Sequence, residues 1–169
     1  MQKITPENIE IQDLKKGDIF VFGSNLAGIH GAGAARFAYN YALAEYGKGT
    51  GLYVRRRELM GSYAIPTKGM RIENIPLDWV KYFVDKFIED VKDEDKSFHF
   101  YVTKVGCGLA GFTIPQIAPL FQSLVGIENV SLPQDFIDFY AGTYVEPEVS
   151  KPLTVKEAQD AGIIKRRFA

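Results

Sequence analysis

Two glycine-rich stretches, each following a short apolar run and preceding a helical pattern, restrict this chain to an α/β arrangement. Asp18–Phe22 (DIFVF) reads as a strand that ends at Gly23, and Ala34–Tyr46 then carries Ala35, Ala38 and Ala42 at helical spacing. Gly47–Gly51 breaks that helix. Ser62–Pro66 (SYAIP) reads as a second strand. After Pro76, the residues Leu77, Val80, Val84, Phe87, Ile88 and Val91 recur at steps of three and four, the pattern of an amphipathic helix closed by the charged run Lys92–Lys96. Phe98–Thr103 (FHFYVT) is aromatic and β-branched, hence a strand. Ile114–Leu124 reads as a helix with Pro115 tolerated in its first turn. Asn129–Leu132 is a last strand and Asp135–Tyr140 a helical turn.

This alternation predicts a three-layer sandwich, a mainly parallel sheet with helices on both faces. Ligands in such sheets bind at the carboxyl ends of the strands, and both glycine stretches fall there. The reading divides the chain into an α/β domain over 1–140 and a C-terminal extension over 141–169. The extension holds Glu146–Pro147, a Lys151–Pro152 step and a helix-like Thr154–Ala161, and packing on the domain or on a second subunit are both open.

Bulk properties narrow the function classes. The 169 residues suffice for one self-supporting core. A net charge of −1 gives no general pull toward nucleic acid or an anionic membrane. The single cysteine, Cys107, cannot form an internal disulfide, and one thiol with two histidines is poor metal-site material. A reducing, cytoplasmic setting follows, with no cofactor. The polar start MQKITPENIEIQDL has no signal-type core, and no apolar run nears the ~20 residues a membrane span needs. Oligomeric state is open.

The first loop, Gly23–Ala35 (GSNLAGIHGAGAA), leaves a strand and enters a helix, whose free N–H groups favour an anion. Asn25 can donate and accept at once, as a pair of ribose hydroxyls requires. The spacing of Gly28, Gly31 and Gly33 is not the dinucleotide fingerprint GxGxxG, and no GK[ST] follows. A plain strand-to-helix turn built of small residues is the competing reading. The second loop, Val105–Phe112 (VGCGLAGF), places three glycines within six positions and so exposes successive backbone N–H groups, the kind of nest that cradles phosphate. Two such loops on one sheet edge are far more specific than either alone.

The motifs FGSNLAGIHGAGAA, SYAIPTK and VGCGLAGF, in this order, resemble the macrodomain family of ADP-ribose-binding α/β domains over residues 17–133. The GCGL form is similar to the branch holding the terminal ADP-ribose glycohydrolase and the DNA ADP-ribosyl glycohydrolase antitoxins. The whole pattern is also similar to uncharacterised phage- and bacterial-genome proteins. The resemblance implies that Asn25 holds the distal ribose and that Gly31, Gly33 and Ala34 border that ribose and the diphosphate. It implies that Gly106, Cys107, Gly108, Leu109 and Ala110 offer N–H groups to the phosphates and that Phe112 flanks the ribose. With Gly23, Ser24, Ala32 and Gly111 these complete the candidate ligand-binding set. Lys68 matches the lysine that attacks the ribose anomeric carbon in the glycohydrolase branch. That branch places an aspartate directly after GCGL; here the position is Ala110, and neither glycine loop contains a carboxylate.

Each remaining reactive residue carries a plainer alternative. Lys68 is either a nucleophile or a solvated turn lysine. His30 is either an acid–base group near the ligand or a loop residue without chemistry. His99, inside the FHFYVT strand, reads as structural, and Cys107 as a small apolar filler more than a thiol nucleophile. Arg55–Arg57 and Lys165–Arg167 read as solvated runs. Trp79, Tyr82, Phe83 and Phe87 read as core rather than a base-stacking platform. The leading expectation is binding of ADP-ribose or a related NAD-derived nucleotide. The alternatives are an ADP-ribosyl hydrolase acting through Lys68, and an interaction module that uses Arg55–Arg57 or the tail for a partner, nucleic acid being the less favoured one.

Overall fold

A computed structural model describes residues 1–54, 60–94 and 96–148, with the separate positions 154, 156 and 160. The Arg55–Arg57 run, the Lys151–Pro152 step, most of the helix-like 154–161 segment and Lys165–Arg167 lie outside the described residues. Among the described residues the elements are six strands and four α-helices: β1 (Lys3–Thr5), β2 (Asp18–Asn25), α1 (Gly33–Tyr41), β3 (Gly51–Val54), β4 (Gly61–Lys68), α2 (Leu77–Asp93), β5 (His99–Val102), α3 (Ile114–Phe121), β6 (Val130–Pro133) and α4 (Gln134–Ala141). The strands form one sheet in the order β1-β6-β5-β2-β4-β3. Every pairing is parallel except β3 with β4, so the expected mainly parallel α/β sheet is present.

Side-chain alternation along the strands sorts the core into two faces. Ile19 and Val21 of β2, Tyr63 and Ile65 of β4, and Phe100 and Val102 of β5 point to one side. There they meet Val80, Val84 and Phe87 of α2, Ile117 and Phe121 of α3, and Phe136 of α4. Phe87 is fully buried and touches the rings of Tyr63, Phe100 and Phe121 at centroid distances of 4.8, 5.8 and 6.2 Å. The alternate positions Phe20, Phe22 and Ala64 face the other side, where α1 lays Ala38 and Ala42 against them. The small residues of α1 allow its backbone to lie close to the aromatic face. Helices thus cover both faces, compatible with a three-layer sandwich. No helix among the described residues is long and apolar enough to cross a membrane.

Several boundaries differ from the sequence reading. α1 stops at Tyr41 rather than Tyr46, because Leu43 takes a left-handed φ of 61° and the Ala44 N–H turns back to the Ala38 carbonyl. Asp135–Tyr140 is not a lone turn but the body of α4, closed by Gly142 at φ 73° and anchored by the Tyr140 hydroxyl donating to the Ala118 carbonyl of α3. α3 begins with a capping box, Thr113 and Gln116, and carries Pro115 in its first turn as expected. Trp79 and Tyr82 are exposed, at 55% and 57%, and not core. The buried stripe Val80–Val84–Phe87–Ile88–Val91 fixes which side of α2 faces the sheet, and these two rings fall off that stripe.

Candidate functional site

The chain leaves β2 through α1 toward the β4 edge of the sheet, and leaves β5 through α3 toward the β6 edge. β2 and β5 are neighbours, so their carboxyl ends mark the point where the connections part, and a crevice opens there. A cleft of about 390 Å³ occupies that position. This size is adequate for a small-molecule ligand.

Three strand ends build the cleft. From β2 and its loop come Gly23, Ser24, Asn25, Gly31, Ala32, Gly33 and Ala34; from β4, Thr67 and Lys68; from the turn after β5, Thr103, Lys104, Gly106, Gly108, Leu109 and Ala110. The two glycine loops therefore converge. The β2 and β5 loops come close enough at Gly23 that a β-carbon there would lie 3.2 Å from the Gly106 nitrogen.

The first loop is held by its own polar groups. The Asn25 amide closes a ring with Ile29: its Nδ2 donates to the Ile29 carbonyl at 2.7 Å and its Oδ1 accepts from the Ile29 N–H at 2.9 Å. Asn25 is buried but still borders the cleft, with one amide hydrogen and one oxygen lone pair left over. Segment 45–49 braces the loop from below. Ser24 Oγ donates to the Gly49 carbonyl, and the Gly47 N–H donates to the Gly28 carbonyl at 3.0 Å. Thr67 Oγ1, from β4, donates to the Ser24 carbonyl at 3.2 Å.

Backbone donors dominate the walls. In the second loop the N–H groups of Val105, Cys107, Gly111 and Phe112 close internal turns on Thr103, Lys104, Gly108 and Gly106. Those of Gly106, Gly108, Leu109 and Ala110 have no intramolecular acceptor among the described residues, and all four residues line the cleft. Across from them α1 begins at Gly33 with Ala32 as its cap, a residue without a side-chain acceptor, so the first-turn N–H groups of Gly33, Ala34 and Ala35 stay open. Two cations, Lys68 and Lys104, join this lining, and among the described residues no carboxylate does. The arrangement suits an anion with hydrogen-bonding ends.

No family model, curated protein or solved structure matches this chain. The functional reading therefore rests on this cleft and on the motifs that build it.

Four of the sequence-predicted site residues stand apart from the cleft wall: His30, Cys107, Gly111 and Phe112. His30 is buried behind the first loop, where its Nε2 lies 3.0 Å from the Glu45 carbonyl and 3.2 Å from the Lys48 carbonyl, and its ring meets Phe22 edge-on at 5.4 Å. Two carbonyl acceptors require Nε2 to carry the proton. The histidine fastens segment 45–48 to the loop and is not among the residues that line the cleft. Phe112 packs inward beside the helical core. Its ring lies against Gly106, where a β-carbon would meet it at 3.2 Å.

Cys107 faces a neighbouring cavity, and burial pushes its thiol up to about 12, with Lys104 only partly opposing this. At pH 8 the native protein is expected to react with a disulfide reagent at least ~100-fold more slowly than the urea-unfolded chain, because the thiolate is the reactive form. Equal rates in the two states would contradict the assignment of Cys107 as an inert filler. His99 is structural, with Nε2 2.7 Å from Ser131 Oγ; burial, helped by Lys3 and opposed by Asp18, lowers its pKa.

Sequence reasoning missed Lys104 as a site residue. It sits one position before the VGCGLAGF motif, and its placement depends on partners far away in the chain. Its Nζ pairs with Asp135 of α4 at 2.6 Å and with Glu7 at 3.7 Å. The hydrogen bond that its ammonium donates to Asp135 raises the lysine's pKa and keeps it charged.

Proposed function

We propose that this chain binds ADP-ribose or a related NAD-derived nucleotide in the cleft between the β2 and β5 loops. The observation that carries the reading is the convergence of two sets of open backbone N–H groups, those of Gly106, Gly108, Leu109 and Ala110 and those at the start of α1, on one cleft lined by lysines and, among the described residues, by no carboxylate. Such a lining suits a diphosphate. The macrodomain resemblance supplies the ribose and adenosine parts of the ligand, and the mostly parallel six-stranded sheet agrees with the architecture that resemblance implies. In this reading the Gly106, Gly108, Leu109 and Ala110 amides cradle the diphosphate, and the spare amide valences of Asn25 reach a ribose hydroxyl.

Calorimetry tests it. ADP-ribose is expected to bind with one-to-one stoichiometry and to raise the unfolding free energy by about 2.7 kcal/mol at a hundredfold excess over Kd. No heat and no thermal shift at millimolar ADP-ribose, on folded protein, ends the reading.

One observation favours a second reading, hydrolysis. Lys68 lies in the same cleft, at the end of β4, as attack on an anomeric carbon requires. Against it, no carboxylate among the described residues lines the cleft to serve as acid or base, a loss worth about 10²–10⁴ in rate. Binding without hydrolysis is therefore the reading we adopt. Release of ADP-ribose from modified protein or DNA, abolished by Lys68→Ala, would reverse that choice.

A further inference from the structure

A second cavity of about 770 Å³ lies beside the cleft, and the two share Gly33, Ala34, Thr103, Lys104 and Gly108 as a common wall. Among the described residues Lys104 is the only charged one in that shared wall. Its ammonium is held on the second-cavity side by Asp135 and Glu7, which line that cavity and not the cleft. Asp135 stands in the first turn of α4, and Glu7 in the segment after β1. Lys104 is 40% exposed, so its flexible four-carbon stem is free to carry the charge toward either side of the wall.

We propose that Lys104 is a charge-selecting residue of the cleft, held in reserve by Asp135 and Glu7, and that the anionic group of the ligand competes with these two carboxylates for its ammonium. The inference rests on the reading of the cleft as an anion site. It extends that reading to specificity: the site takes ligands whose negative charge lies at the wall between the cavities, and it discriminates against an uncharged nucleoside. The two carboxylates weaken anion binding and set a threshold of ligand charge. A charged hydrogen bond to phosphate is strong enough to compete with a partly exposed ion pair, whose own strength is small. Asp135→Asn removes the stronger competitor and keeps the shape of the helix start.

The test is titration calorimetry on the full chain with three probes, ADP-ribose, inorganic pyrophosphate and adenosine. The variants are Lys104→Ala, Lys104→Arg, Asp135→Asn and the double variant Lys104→Ala/Asp135→Asn. Lys104→Ala is expected to weaken ADP-ribose and pyrophosphate by ~10-fold or more and to leave adenosine unchanged, and Lys104→Arg to restore most of the loss. Asp135→Asn is expected to tighten both anions several-fold, and this gain is expected to vanish when Lys104 is absent. Two results overturn the proposal. One is an equal effect of Lys104→Ala on adenosine and on the anions, which marks a structural role. The other is a gain from Asp135→Asn that persists without Lys104, which marks direct repulsion by the carboxylate. If ADP-ribose fails to bind any variant while pyrophosphate follows the expected pattern, the nucleotide assignment falls and the role of Lys104 stands. If neither anion binds, both fall.

Discussion

Gly49→Ala is expected to destabilise the protein by about 3 kcal/mol and to lower its melting temperature by about 10 °C, a large effect for one methyl group. A β-carbon at Gly49 would overlap the carbonyl oxygen of Asn25 and lie 3.1 Å from the Leu26 carbonyl carbon. Both obstacles are backbone, so no side-chain rotation relieves them. The crossing is needed because segment 45–49 supports the first loop through the Ser24 hydroxyl, the Gly47 N–H and the His30 ring. Displacing Gly49 also displaces Asn25, so ligand binding is expected to fall with stability. Gly31→Ala is the control: a β-carbon there meets nothing within 4 Å and the backbone is not left-handed, so stability is expected to change by less than about 0.5 kcal/mol. Thermal melts of the two variants decide the matter. A Gly49→Ala protein as stable as Gly31→Ala would mean that the loop and its brace do not cross as described.

Gly108→Leu is expected to do the opposite, sparing stability and removing binding. Gly108 has ordinary φ and open space where a side chain would project, and it lines the cleft among the open N–H groups. Leucine there fills the volume above Gly106–Ala110 and screens the amides from a phosphate. ADP-ribose affinity is expected to fall by ~100-fold or more, about 2.7 kcal/mol, with the melting temperature within a few degrees of the parent. A variant that binds as well as the parent would place the anion elsewhere. Because Gly49→Ala acts through the fold and Gly108→Leu through the cleft, the pair separates loss of architecture from loss of the site.

The central strands and both glycine loops were legible because short apolar runs lead into glycine-rich stretches, and the stretches after β2 and β5 are followed by helical spacing. β1 and β3 were not. β1 has only three residues, two of them exposed, and its pairing with β6 joins residues more than 120 positions apart. β3 (GLYV) is an antiparallel edge strand, half-buried throughout, with no alternation to betray it. Cleft-lining Gly23–Asn25, Gly31–Ala34, Lys68, Gly106 and Gly108–Ala110 were all named from sequence, since a backbone-built site advertises itself through small residues. Side-chain roles were harder. His30 sits among the glycines of the motif yet turns away, because two carbonyls of segment 45–48 claim its Nε2. Lys104 precedes the motif and owes its position to Asp135 and Glu7, contacts that no local pattern encodes.

The most direct test of the binding proposal is a crystal structure of the protein soaked with ADP-ribose. The proposal predicts diphosphate oxygens within hydrogen-bonding distance of the Gly108, Leu109 and Ala110 N–H groups, with a ribose beside Asn25 and Lys68. A fully occupied ligand whose diphosphate lies away from these amides, or clear density for an empty cleft at saturating ADP-ribose, would contradict it.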